Sequence, residues 1–285
     1  MNLNIQEITF IIVTYKANKI IHNCINSLPK SSKIIIVETS NDLNMKKDLE
    51  KKYDNIEVIL SKNNGMGYSN NIGLRKVKTK FAFILNPDVL FKEDTFIKLQ
   101  EEIKNIDDFA IISPIHEDNN FPNYKFSKKI KFNENILDVE EVDGYSMLLN
   151  LEKFKNNDFF DENFFLYLEN VDLCRKQKKN NQKIFIIKNS EIRHFGSYTS
   201  KLDQSNKIEY LRNWHWMWSK FYFNKKHKGY LFAFAITMPN FFSSIIKYFF
   251  YLCTLNNHKK IIFKMRFLGL LNSILCNKSF LRPDN

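Results

Sequence analysis

Phe81-Ala-Phe-Ile-Leu-Asn-Pro-Asp-Val-Leu90 is the stretch on which the reading of this chain turns. Five apolar residues, Phe81–Leu85, predict a buried strand, and Asn86-Pro87-Asp88 falls where that strand ends. In open α/β sheets, ligands bind just beyond the carboxyl ends of strands. A carboxylate on a turn stiffened by Pro87 is well placed to hold a divalent metal against a diphosphate. A strand that merely ends in a turn would look the same, so the neighbouring segments have to decide.

Working outward, the first 110 residues alternate apolar runs with amphipathic ones. Strands are expected at Ile8–Thr14, Lys33–Val37, Ile56–Leu60, Phe81–Leu85 and Ala110–Ser113, and helices at Ile20–Leu28, Met45–Lys51, Tyr68–Val77 and Glu93–Ile106. This rhythm predicts an α/β fold, a mainly parallel twisted sheet with helices on both faces. Right-handed crossovers then bring the strand ends to one edge, where a nucleotide can sit. Beyond a polar and aromatic loop at Asn119–Asp138, Val142–Asn150 reads as a strand, Asn170–Lys178 as a helix and Lys183–Ile187 as a strand. The expected division is a domain over residues 1–200 and a helical extension over 201–285.

Charge supports that division. Of the formal +12, residues 201–285 carry 14 Lys and Arg against 3 Asp and Glu, whereas residues 1–200 carry 29 against 28. A near-neutral body argues against a nucleic-acid-binding domain, and a basic tail suits an anionic membrane surface. Within the tail, Gly229–Leu255 holds a single charge, Lys247, and basic clusters flank it (Lys225, Lys226, Lys228; Lys259, Lys260, Lys264, Arg266). Pro239-Asn240 is expected to split this run into two helical halves, each short of the roughly 20 residues that cross a bilayer. An interfacial or shallow re-entrant pair on the cytoplasmic side is the preferred expectation, with a buried core face or a dimer face as the alternative. The four cysteines form no C-x-x-C pair, so neither a disulfide framework nor a zinc site is indicated, and a reducing compartment fits. The N-terminus enters a strand-like run at once, without a secretion-signal pattern, so a cytoplasmic location is expected.

Other segments add chemistry. Ile11-Ile-Val-Thr-Tyr15 closes the first strand with a hydroxyl, Thr14, and a ring, Tyr15, the stacking face and hydrogen-bond partner that a nucleobase needs. The second strand ends in Glu38, which could accept from a base or ribose, or simply begin a solvated loop. In Asn63-Asn-Gly-Met-Gly-Tyr-Ser-Asn-Asn-Ile-Gly73, Gly65 and Gly67 would let backbone approach a ligand, and a helix from about Tyr68 would aim N–H groups at an anion. A plain capped loop is the competing reading. It is not a phosphate-binding P-loop, because the G-x-x-x-x-G-K-[ST] order is missing. Glu169 and Asp172, spaced i and i+3 at a helix start, would share one face and could deprotonate an acceptor hydroxyl, or simply cap the helix. His194, after a strand-like segment, is a metal or phosphate candidate only if it lies beside Asp88.

In that order these segments resemble the family 2 glycosyltransferases, and within them the rhamnosyltransferase-like branch. The matching residues are Ile12-Val-Thr-Tyr15, the acidic strand end at Glu38, Asn63-Asn-Gly-Met-Gly67 with later Asn70 and Gly73, Leu85-Asn-Pro-Asp88, Phe160-Asp-Glu-Asn-Phe-Phe165, Glu169-Asn-Val-Asp-Leu-Cys-Arg175 and His194. The likeness covers about residues 5–200. It implies a GT-A fold and an inverting transfer from a nucleotide-diphosphate sugar with Mg²⁺ or Mn²⁺. Thr14, Tyr15 and Glu38 would bind the nucleoside and Asn70 would belong to the donor pocket. Asn86 and Asp88 would stand for the D-x-D element, with Asp88 the principal metal ligand and Asn86 near ribose or metal. His194 would complete the metal or diphosphate site, and Asp143, in Val-Asp-Gly144, would lie on the acceptor side. The acceptor would be a saccharide, lipid-linked and destined for a surface polysaccharide, at the inner face of the plasma membrane.

One departure bears on the chemistry. The family pattern has Glu-Asp where this chain has Glu169-Asn170, and an asparagine is no general base at neutral pH. Glu169 is the favoured substitute, then Asp172. A catalytically impaired sugar-nucleotide binder or scaffold is the alternative reading. A nucleotidyltransferase is another, although Tyr15-Lys-Ala-Asn-Lys-Ile20 lacks the glycine-rich loop such enzymes carry after the first strand.

Overall fold

The computed structural model describes residues 3–126, 133–196 and 206–283. These fall into two compact units, one over 3–63, 68–160 and 170–196, the other over 64–67, 161–169 and 206–283. Part of the Asn119–Asp138 loop and the first and last residues of the expected extension lie outside the described residues.

The first unit is built on one sheet. Strands β1 (Ile8–Thr14), β2 (Lys33–Glu38), β3 (Ile56–Leu60) and β4 (Phe81–Leu85) pair in parallel in the order β3-β2-β1-β4. All seven residues of β1 and all five of β4 are buried, the continuous apolar pattern of strands covered on both faces. Alternate residues serve opposite layers. Phe10, Ile12, Phe81 and Phe83 pack with α1 (Ile21–Ser27), α2 (Leu43–Lys52) and α4 (Thr95–Ile103), while Ile11, Ala82 and Ile84 pack with α3 (Met66–Leu74) and α5 (Glu169–Lys179). Gly73 is what lets α3 approach, since a Cβ there would lie 2.7 Å from Ile11 Cγ2.

Beyond β4 the sheet becomes mixed. β10 (Ser146–Asn150) runs antiparallel to both β4 and β6 (Ile111–His116), and β11 (Ile184–His194) runs parallel to β6. β5 (Val89–Phe91) and β8 (Ile136–Asp138) add antiparallel edges to β11, and β7 (Tyr124–Lys125) pairs β9 (Glu141–Val142) in a separate ribbon. Three sequence expectations need correcting. The Val142–Asn150 run is two strands, broken at Asp143-Gly144-Tyr145, where a Cβ on Gly144 would stand 3.1 Å from Asn170 Cβ. β6 continues through Pro114 to His116, and β11 extends seven residues past Ile187 across a bulge. Their pairing tolerates Pro114 and the irregularity because the ladder shifts register there.

The second unit contains α6 (Asn206–Lys228), α7 (Tyr230–Cys253) and α8 (Asn257–Ile274). Pro239 does not divide the apolar run, which corrects the expected pair of short helices. Ala233 before it and Phe241 after it pack against one cluster with Met217, Phe221 and Leu270, holding both halves in line despite the lost backbone donor. Gly269 allows α8 to touch α6, for a Cβ would meet the Trp214 carbonyl at 2.2 Å. No helix among the described residues is long and apolar enough to cross a membrane.

The 161–169 segment belongs to this unit. Asp161 accepts from Tyr222 Oη at 3.0 Å and Lys226 Nζ at 2.6 Å; burial alone would raise its carboxyl, but Lys226 and the Asn163 bonds hold it below its ordinary value. Gly65, at φ +115, is needed because a Cβ would lie 2.6 Å from the Phe165 backbone, and the Met66 N–H donates to Phe165 O at 2.9 Å. The freedom expected of Gly65 towards a ligand is therefore used for chain packing.

Candidate functional site

The sheet explains why distant residues meet. Parallel pairing puts Thr14 beside Glu38 and Ile12 beside Leu85, so β1, β2 and β4 end on one edge. β10 runs the other way, with Ser146 opposite Leu85, which brings its preceding residue Tyr145 to the same edge. β6 and β11 end there too, with Ile192 opposite His116 and His194 opposite Val89.

Asp88 and His194 form the centre. Asp88, 8% exposed, sits on the β4–β5 turn with Oδ1 3.3 Å from His194 Nε2, and its carbonyl accepts from the Phe195 N–H at 3.2 Å. The Tyr145 ring stacks on His194, with centroids 3.9 Å apart and 18° between planes. Tyr145 O also accepts the Asn86 N–H at 3.0 Å, and the Asn86 carbonyl accepts from Val89 N. His116 packs edge-on against Tyr145, its Nε2 3.4 Å from His194 O. Loss of water raises the Tyr145 hydroxyl, with the Asp143 charge adding, so it stays protonated. Asp143 is exposed, yet partial desolvation raises its carboxyl, opposed by Lys125, His194 and His116. Beneath the turn, Cys24 donates to Asn86 O at 3.7 Å; burial, reinforced by Asp88, pushes this thiol up to about 12 and keeps it neutral.

On the β1–β2 side, the Thr14 carbonyl takes both the Thr39 N–H (2.8 Å) and hydroxyl (2.7 Å). Glu38 is fully buried and already accepts from Ser40 N, Ser40 Oγ and Asp42 N. It holds the β2–α2 loop together from a buried position, where the loop reading of the sequence expected a solvated carboxylate. Lys16 lies over the Tyr15 ring at 5.1 Å. Thr14 Oγ1, Asn70 Oδ1 and Ser146 Oγ are buried without a hydrogen-bond partner among the described residues. Buried polar atoms are normally satisfied, so the Thr14 and Ser146 orphans at the sheet edge, and that of Asn70 on α3, are candidate partners for a polar ligand.

Glu169 opens α5 in the second unit. Its Oε2 is buried and unpartnered, and burial raises the carboxyl to about 7. Asp172 is 1% exposed. Asn170 is engaged elsewhere, its Nδ2 donating to Val142 O at 2.8 Å.

Among the described residues, no three His, Cys, Asp or Glu side chains converge in the manner of a complete metal cage. Asp88 and His194 supply one carboxylate and one imidazole. The Asp88 carboxylate fits Mg²⁺ or Mn²⁺ held partly by substrate phosphates and water, and the His194 imidazole suits the softer Mn²⁺ better.

The model of glycosyl transferase family 2 matches residues 9–175. The chain belongs to this family. Among curated proteins, this family 2 chain is 26% identical over 171 residues to the rhamnosyltransferase WbbL of Escherichia coli K12, covering 49% of this chain and 64% of that one. It is 24% identical over 234 residues to the low-salt glycan biosynthesis hexosyltransferase Agl10 of Haloferax volcanii, covering 72% and 75%. Among solved structures, S. aureus TarS 1–349 matches 95% of this chain and 92% of its own at TM-score 0.53 and 15% identity. GalNAc-T7 with UDP, GalNAc and Mn²⁺ matches 66% and 43% at TM-score 0.53 and 13% identity. The fold is GT-A, with C-terminal helices added.

His116, Tyr145 and Ser146 escaped the sequence reading of this family 2 chain. The signal for His116 was there, two residues past Pro114, but a strand expected to stop at Ser113 hid it. Tyr145 was hidden by the expectation of one continuous strand.

Proposed function

We propose that this chain transfers a sugar from a nucleotide-diphosphate sugar to a hydroxyl of a saccharide acceptor, with inversion. The observation that carries the reading is the Asp88–His194 pair on the edge where the parallel strands end, with the orphaned Thr14 and Ser146 hydroxyls on strands that reach the same edge and the orphaned Asn70 oxygen on α3. Thr14, Tyr15 and Asn70 hold the nucleoside and donor, and Glu38 acts by shaping the loop beneath them. Asn86, Asp88 and His194 face the diphosphate. A divalent metal bound at Asp88 and His194 would offset the charge that grows on the departing nucleoside diphosphate. Tyr145 keeps the His194 ring in place by stacking.

Glu169 takes the proton of the attacking acceptor hydroxyl. A base works best when its pKa lies near the operating pH, and a carboxyl at about 7 meets that condition. Asp172, one turn on and buried, fits a supporting role, and Asp143 lies on the acceptor side. The hexosyl or rhamnosyl class is drawn from the two curated relatives.

The acceptor is proposed to be lipid-linked, in surface polysaccharide synthesis at the inner face of the plasma membrane. Supporting this, α7 exposes Leu231 (82%), Ile246 (67%) and Phe249 (56%) between clusters of Lys and Arg. Such a face suits an interface rich in anionic lipid.

A second reading, a sugar-nucleotide binder without turnover, is kept by Asn170, which stands where the family pattern has an aspartate and is no general base. The test is release of nucleoside diphosphate from a panel of sugar nucleotides with Mg²⁺ or Mn²⁺, comparing wild type with Glu169→Gln. Turnover in wild type and its loss in the variant supports the transferase. Binding without turnover in wild type supports the second reading.

A further inference from the structure

Tyr167 and Leu168 have φ of +71° and +69°, two consecutive non-glycine residues in the left-handed region. L-residues enter that region singly and at a cost, and strain of this kind persists only where the surroundings over-determine it. The next residue is Glu169. Helix α6, in the same compact unit, grips the segment residue by residue. Ser219, fully buried, donates its hydroxyl to Leu166 O at 2.8 Å. Trp216 meets the Tyr167 ring edge-on at 5.4 Å and 87°. Leu168 packs on the cluster of Phe164, Trp214 and Trp218. Phe165 stacks on His215 at 4.4 Å.

We propose that α6 is a positioning element for Glu169: Ser219, with Trp214, Trp216 and Trp218, locks the left-handed Tyr167-Leu168 turn, and that lock keeps Glu169 Oε2 out of water and without a partner. The inference rests on the reading of Glu169 as the base. Arg212 of α6 and Glu169 both act on the Tyr167 hydroxyl, which burial raises. His215 is held neutral, pushed down to about 3 by burial, and Arg282 lies over the Phe165 ring at 4.4 Å. Relaxing the turn would admit water to Glu169 without removing a charge from its surroundings, so its proton affinity should fall.

Carboxyl ¹³C NMR on the full chain labelled at glutamate tests this, with the Glu169 signal identified by its loss in Glu169→Gln. Wild type should titrate near 7. Ser219→Ala removes the hydroxyl grip, and Leu168→Gly removes both the apolar anchor and the penalty for leaving the left-handed region. Each should stay folded by near-ultraviolet circular dichroism and should lower the midpoint by at least about one pH unit, a tenfold loss of proton affinity. Unmoved midpoints in both folded variants, or a wild-type midpoint near the ordinary 4.5, would overturn the proposal. Full turnover by Glu169→Gln with shifted midpoints would instead remove the base assignment and leave the lock standing.

Discussion

At the residue scale, the proposed role of Glu169 ties activity and stability to one carboxyl as pH changes. A base must be ionised, so turnover should rise with pH through about 7 and level off above it. Stability should move the other way. A carboxyl raised from 4.5 to about 7 binds its proton more tightly folded than unfolded, so its contribution is complete below about 4.5 and is lost as pH rises through about 7. Denaturant titrations of wild type and Glu169→Gln at pH 4 and pH 8 would measure it. The variant should gain on wild type at pH 8 by no more than about 3 kcal/mol, an upper limit because the side chain is only half-buried. An equal difference at both pH values would contradict the raised carboxyl.

At the element scale, the parallel half of the sheet was legible in the sequence because its physics is local. Ile8–Thr14 and Phe81–Leu85 are continuous apolar runs with breakers at their ends, and their bounds match those expected. What could not be read depends on contacts distant in sequence. Tyr145 and His116 join the site only because β10 pairs antiparallel with both β4 and β6. Glu38 could be read from sequence as a ligand residue or as the start of a loop, and what the sequence could not show is that it is buried and bonded to the turn at Ser40 and Asp42. Pro239 looked like a break and is not one, because packing on both sides of it outweighs one missing donor. Close helix packing in the second unit carries a test of its own. Gly269→Ala would drive a methyl into the Trp214 carbonyl, and the α6–α8 contact would have to open. Overpacking of this kind costs about 1–3 kcal/mol, so thermal unfolding should shift down by several degrees. An unchanged melting temperature would show that α8 does not seat on α6 as described.

At the scale of the whole molecule, the charge asymmetry and the α7 face bear on where the chain works. The exposed apolar side chains of α7 and the lysines after it are separable from the packed contacts of α6, so substitution is a better probe than truncation. Removing residues from 225 onward would also remove the Lys226 bond to Asp161. Leu231→Glu with Ile246→Glu should abolish sedimentation with vesicles containing phosphatidylserine. Lys259→Glu with Lys260→Glu should weaken it, more so at low salt than at high. Binding indifferent to all four changes would remove the membrane from the account.

The central claim is that donor turnover depends on Asp88 and its histidine partner at the strand-end edge. Its most direct measurement is nucleoside-diphosphate release by wild type, His194→Ala and Asp88→Ala, using the sugar nucleotide that wild type turns over fastest with Mn²⁺. The account predicts release by wild type, a large loss in His194→Ala and no release above background in Asp88→Ala, with the fold intact. Appreciable turnover by Asp88→Ala would contradict it.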